Sequence, residues 1–225
     1  MEYLKLSKLE NFDIADLNGH GKFQIPELPA VTNTDFKRFE RLIYAKDIKD
    51  LYNVCLHTFS YDYQFNSVWS KPDEWTDRLL NVNCVIAPDF SLYRDMPYAL
   101  QLYNHYRKHW VARYWLEAGI KVIPNIRWSD EKSYDFCFEG EPKKSIIAVG
   151  TTGTQRDCVA HELFIRGFEE TLNRLEPIKI LMYGSVPENL NTHGVEIVHI
   201  PHHYDQRRLN EKLAECQKQM ELTQI

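Results

Sequence analysis

The chain repeats one unit along most of its length: a short β-branched or apolar run that ends in polar residues and leads into a helical stretch. Parallel strands covered on both faces read as such continuous apolar runs, and crossover helices must separate them. The runs fall at Leu42–Tyr44, Val54–Thr58, Cys84–Ala87, Val122–Ile126, Ile146–Val149, Ile180–Tyr183 and Glu196–Ile200. Helices are expected over Asp73–Leu80, Met96–Glu117, Val159–Leu175 and Asp205–Leu222. In the second of these, Asp95 is placed to cap, Pro97 suits the first turn, and Gly119 stands where a left-handed C-terminal residue is wanted.

About six strand-to-helix passages in about 190 residues fall short of the roughly 250 that an eight-fold barrel uses. The expected fold class is therefore α/β, a mainly parallel sheet with crossover helices, either a reduced or open TIM-like barrel or a doubly wound sheet. Residues 1–32 are turn-rich, with Asn18-Gly19-His20-Gly21 followed by Pro26 and Pro29, and read as an N-terminal arm or cap. Residues 33–225 read as a single α/β domain.

Composition narrows the classes further. A hydrophobic fraction of 44% with 26% charged residues fits a packed globule and not a disordered chain. No apolar run approaches the roughly 20 residues of a bilayer span, and the first residues lack the apolar centre of a signal peptide, so no membrane association and a cytoplasmic location are expected. The net charge of −5 disfavours broad, phosphate-driven nucleic-acid binding. Five scattered cysteines, Cys55, Cys84, Cys137, Cys158 and Cys216, include no C-x-x-C pair and are read as reduced, with Cys55 and Cys84 as small core side chains.

In parallel α/β folds the loops after the strands gather on one edge, and ligands bind there. The segment Pro88-Asp89-Phe90-Ser91-Leu92-Tyr93-Arg94-Asp95 is the densest polar group in the chain. Asp89, just beyond an apolar strand, is the first candidate catalytic carboxylate, and Asp130 is the second. Such a pair serves acid–base hydrolysis or holds a divalent cation. His202, after the last strand, is a candidate general acid or base. Arg94 and Arg127 are placed to grip an anion and Trp128 to stack on a ring. Thr151 and Thr152, in the Gly150–Thr154 loop before a helix, and Tyr183, at a strand end, complete the ligand-binding candidates. His105 and His109 stand four apart on the long helix, but the segment between them lacks the glutamate of a metalloprotease helix, which argues against a metal role.

The strings Tyr61-Asp62-Tyr63-Gln64-Phe65 with Val68-Trp69, Ala87 through Pro97, Ile123 through Asp130, Ser133 through Gly140, and Met182-Tyr183-Gly184 occur together here. Over roughly residues 40–185 the chain resembles a family of phage and mobile-element proteins known as a domain of unknown function. The resemblance implies a bacterial host cell as the setting and a host-defence, replication or accessory role, and it carries no assigned reaction.

Three readings follow. In the first, the chain is a phage or mobile-element accessory protein with a polar ligand site at the C-terminal strand ends, processing a nucleotide or sugar as a hydrolase. In the second, it is a non-catalytic host-interaction or anti-defence protein that binds a host protein or a nucleotide signal. The third, a nucleic-acid-binding replication accessory, needs a basic stripe such as Arg107, Lys108 and Arg113 on the long helix.

Overall fold

The computed structural model describes residues 10–12, 14, 15, 17, 19–154 and 157–202. The helix expected at 205–222 lies outside the described residues, as does Cys216.

Among the described residues, eight strands form two four-stranded, all-parallel sheets: β1 (Arg38–Arg41), β2 (Val54–His57), β3 (Cys84–Ile86) and β4 (Val122–Ile123) in one, and β5 (Asn125–Ile126), β6 (Ile146–Gly150), β7 (Lys179–Tyr183) and β8 (Glu196–Ile200) in the other. Within each sheet the spatial order follows the chain order without reversal. That excludes the switch point of a doubly wound sheet and leaves the open, barrel-like alternative. No ladder joins β1 to β8 among the described residues, so the barrel is not closed.

Pro124 lies between β4 and β5. It has no N–H to give, yet its carbonyl accepts from Ala148 N at 2.8 Å, while Ile123 O accepts from Ala87 N at 2.9 Å. One short stretch of backbone thus passes from the first sheet to the second, turning its ladder from β3 to β6.

Side-chain alternation sorts the strands into an inside and an outside. Cys55, Ile86, Ile123, Ala148, Leu181 and Ile200, drawn from both sheets, meet in one buried interior together with Val31 and with Phe39 of β1 and Val198 of β8. On the outside, Val54, Leu56, Val85 and Val122 pack against Trp69, Trp75, Trp110 and Trp115. Ile147, Val149, Ile180 and Met182 pack against Phe164, Phe168 and Leu172.

The α-helices among the described residues are α1 (Asp62–Phe65), α2 (Ser67–Ser70), α3 (Pro72–Leu79), α4 (Tyr98–Glu117) and α5 (Cys158–Leu175). α4 begins at Tyr98, not Met96, with Pro97 as its N-cap; Asp95 does not cap it. Its C-terminus closes as expected: Gly119 has φ +86, its N–H donates to Leu116 O at 2.9 Å, and Ile120 N donates to Trp115 O at 3.0 Å. These two bonds make a Schellman motif. The strand expected at Leu42–Tyr44 is instead a 3-10 turn, Leu42–Asp47, which buries Leu42 and Ala45 at the three-residue spacing of that helix. The strand lies just before it, in β1.

The segment ahead of β1 is fastened to the 139–146 region. Phe23 N donates to Glu139 Oε1 at 2.8 Å, Leu28 N to Gly140 O at 2.9 Å, and Ile146 N to Val31 O at 2.7 Å. No helix among the described residues is long and apolar enough to cross a membrane.

Candidate functional site

Every parallel strand points its C-terminal end to the same edge, and there the loops after β1, β2, β3, β5, β6 and β8 enclose two adjoining clefts of about 350 and 310 Å³. Tyr93, Arg127, Thr152 and Gly153 line both. The larger cleft adds Arg41, Tyr61, Gln64, Asp89 and His202; the smaller adds Arg94, Trp128 and Asp157.

Asp89 is the best-anchored group. Its side chain is nearly buried, and its backbone N–H donates to Thr58 Oγ1 at 2.7 Å. Asn125 Nδ2 donates to Oδ1 at 2.9 Å, and Arg127 Nη1 donates to Oδ2 at 3.0 Å and Oδ1 at 3.3 Å. The carboxylate therefore cannot rotate without breaking bonds to Asn125 of β5 and to Arg127 just after it. A charge-assisted bond in this water-poor setting is stronger than one on the surface.

The loop that carries Asp89 is held from a second side. Asp62, at the start of α1, accepts from Ser91 N at 3.1 Å and from Ser91 Oγ at 2.7 Å. Across the cleft, Arg41 donates to Gln64 Oε1 at 2.7 Å and to Tyr44 Oη at 3.3 Å, which aims its guanidinium along the wall.

Arg94 pairs not with Asp89 but with Asp157, at 3.7 Å. Asp157 caps α5 by accepting from Ala160 N at 2.7 Å, and that bond, with the Arg94 charge, holds its carboxyl below the ordinary range. The leading N–H groups of α5 are thus partly satisfied by a carboxylate and are not presented bare to an anion. Trp128 is half-buried: its indole N–H donates to Leu163 O at 3.1 Å and its ring stacks on Phe164 at 5.4 Å, so one edge secures α5 while the residue also lines the smaller cleft.

The remaining sequence candidates fall as follows. His202 and Thr152 join Asp89 and Arg127 in the larger cleft. Thr151 lines neither cleft; its N–H and Oγ1 both donate to Tyr183 O, at 2.8 and 3.1 Å. Tyr183 is buried in the interior, stacked on Phe59 at 4.6 Å and lying 5.5 Å from the His202 ring. Asp130 also lines neither cleft. It caps a 3-10 turn, Glu131–Asp135, by accepting from Lys132 N at 3.1 Å, so the expected pairing of Asp89 with Asp130 is not formed in either cleft. The basic stripe on α4 does not form either. Lys108 is buried, Arg107 lies 3.9 Å above the Phe90 ring while bonding Asn66 and Asn104, and Arg113 pairs with Glu117.

Sequence reasoning did not single out Arg41, Gln64, Asn125 or Asp62. Arg41 belongs to a strand placed a few residues too late. The other three lie inside segments quoted for their family resemblance, where no spacing rule marks an individual residue.

A model of the family described as Domain of unknown function (DUF4417) matches residues 18–201. Among curated proteins, the chain is 39% identical over 153 residues to the Gene 1 protein of Mycobacterium phage L5, covering 68% of this chain and 67% of that one. It is 37% identical over 153 residues to the Gene 1 protein of Mycobacterium phage D29, covering 57% of that protein. No solved structure matches the chain. With the family model spanning most of its length and phage proteins among its relatives, the chain belongs to the DUF4417 family.

Proposed function

We propose that the chain binds a phosphorylated small molecule of the nucleotide class in the joined clefts at the C-terminal strand ends. The observation that carries this reading is Arg127, which lines both clefts and is fixed by a bond from Nη1 to a nearly buried carboxylate. A guanidinium has five N–H donors, so one held by a single nitrogen keeps others for a phosphate oxygen. Arg41 and Arg94 stand on either side of it, one in each cleft. Tyr61, two-thirds exposed at the rim, and Tyr93, half exposed and shared by the clefts, offer ring faces for a base. Asp89 serves as an orienting carboxylate and His202 as the candidate proton carrier for hydrolytic turnover.

The test is a thermal-shift panel of nucleoside mono-, di- and triphosphates, cyclic dinucleotides and sugar phosphates, each with and without Mg²⁺, on the wild type, Arg127→Ala and Asp89→Ala. A ligand at one hundred times its Kd adds about 2.7 kcal/mol to native-state stability and must raise Tm. The expected result is a rise with a phosphorylated compound that both variants lose, followed by an assay of product release that separates binder from hydrolase. No rise with any phosphorylated compound rejects the reading and turns the search to a host protein.

A further inference from the structure

Away from the clefts, α4 buries three polar side chains against the loop around Gly140: His105, Lys108 and His109. His105 Nε2 lies 3.0 Å from Glu139 O and His109 Nδ1 lies 2.8 Å from Pro26 O. A backbone carbonyl only accepts, so each ring places a hydrogen there, and each neutral imidazole then presents a lone pair at its other nitrogen. The lone pair of His109 Nε2 is 3.0 Å from Glu141 Oε1, an acceptor facing an acceptor. His105 Nδ1 and Glu141 Oε2 are buried with no hydrogen-bond partner among the described residues. Nearby, Lys108 Nζ donates to Glu141 Oε1 at 2.5 Å and to Asn125 O at 2.8 Å, which leaves the other acceptors unserved.

We propose that His105, His109 and Glu141 form a binding site for a divalent transition-metal ion of the zinc class. Their ligand atoms lie within 4.8 Å of one another. Zinc takes imidazole nitrogen at about 2.0–2.1 Å and carboxylate oxygen at similar range, so the three side chains draw inward on binding. Two histidines one helical turn apart on α4 already share a face. Imidazoles oriented by N–H donation to a carbonyl are the outer-shell arrangement that metal-bound histidines use. Lys108 holds Glu141 Oε1, so the ion shares this carboxylate with an ammonium whose charge opposes a dication and sets the affinity lower.

The surroundings are built closely around this cluster. Gly140 has φ +80, and a Cβ there would stand 2.7 Å from Pro26 O and 2.9 Å from His109 Nδ1. Only glycine lets the loop run so close to the ring. The ion therefore sits where α4, the Glu139–Glu141 loop and the segment carrying Pro26 meet, and its role is to clamp the three together.

The test uses the full chain, stripped of metal and titrated with Co²⁺ and then Zn²⁺. One equivalent of Co²⁺ is expected, giving visible absorption of nitrogen-ligated cobalt that Zn²⁺ displaces. His105→Gln and Glu141→Gln should weaken binding by at least about tenfold, the low end for lost metal-site groups. Lys108→Met should strengthen it, an effect that a purely structural salt bridge would not produce. The proposal is overturned by a wild type with no cobalt absorption and no zinc-dependent rise in Tm, or by a signal that survives unchanged in both ligand variants. Should those variants fail to fold, the wild-type stoichiometry and spectrum decide alone.

Discussion

Arg127 Nη1 sits within 3.3 Å of both carboxylate oxygens of Asp89, joining the loop after β5 to the loop after β3. Both side chains are mostly out of water, with 19% and 10% of their surfaces exposed. Removing one partner therefore leaves the other charge poorly compensated. Arg127→Met is expected to cost about 2–3 kcal/mol in urea unfolding, somewhat below the fully buried range because the guanidinium is partly wet. Arg127→Lys should recover only part of this, since an ammonium lacks the planar fork. A double-mutant cycle with Asp89→Asn measures the coupling; independence of the two changes would show the contact to be energetically idle.

Gly167 on α5 is a second sensitive position. A Cβ there would come 2.0 Å from Trp128 Nε1 and 2.3 Å from the ring carbons. An exposed helical glycine gains about 1 kcal/mol on change to alanine, but overpacking typically costs about 1–3 kcal/mol. The clash is with a rigid indole, so Gly167→Ala should destabilise and shift Trp128 fluorescence. Trp128→Leu should relieve much of that loss in the double variant.

Thiol accessibility gives a third check. Cys55, Cys84 and Cys137 are buried, and Cys158 is exposed at the start of α5. Burial pushes the Cys55 thiol well above its ordinary value, with Cys84 adding to the effect, and pushes Cys137 up to about 12. Since the thiolate is the reactive form, brief alkylation of the native protein should modify Cys158 and spare these three, as peptide mass mapping would show. Rapid labelling of Cys55 would contradict the packed interior between β2 and β3.

Alkaline stability follows from three tyrosines. Burial and then Glu10 push Tyr103 up to about 12. A hydrogen bond to Asp73 and then burial do the same for Tyr114, and burial with the neighbouring Cys137 for Tyr134. A raised folded-state value means that the folded chain holds the phenol proton more firmly than the unfolded one. The contribution is whole below pH 10.0 and is lost as pH rises from there toward 12. Denaturation midpoints should fall across that interval, together with a delayed tyrosinate absorbance. Tyr103→Phe combined with Tyr134→Phe should flatten the fall.

Much of this architecture is written in local pattern. β2, β3, β6, β7 and β8 each lie within about a residue or two of an apolar run, as buried parallel strands should. β1 escaped because its sequence, Arg38-Phe39-Glu40-Arg41, has the charged look that exposed edge strands adopt, while the apolar spacing of Leu42 and Ala45 belongs to the turn after it. Asp89 and Arg127 were legible as polar residues just beyond apolar strands. Glu141 was not, because it meets His109 from 32 residues away, and only the path of the loop around Gly140 brings them together. Lys108 reads as a surface charge on a helix, and nothing local announces that its partners Asn125 and Glu141 await it inside.

Pro124 marks a seam. On one side of it the backbone ladder serves β3, on the other β6, and at the seam a donor is missing. Asp89 belongs to the first half, and Asn125 and Arg127 to the second, so their bonds act as stitches across the gap. Arg127 lines both clefts and Asp89 the larger one, so the ligand proposed there would touch this ion pair, while Asn125 stays buried behind it. A ligand that binds only the joined halves would link its own binding to their cohesion, each strengthening the other by the same factor.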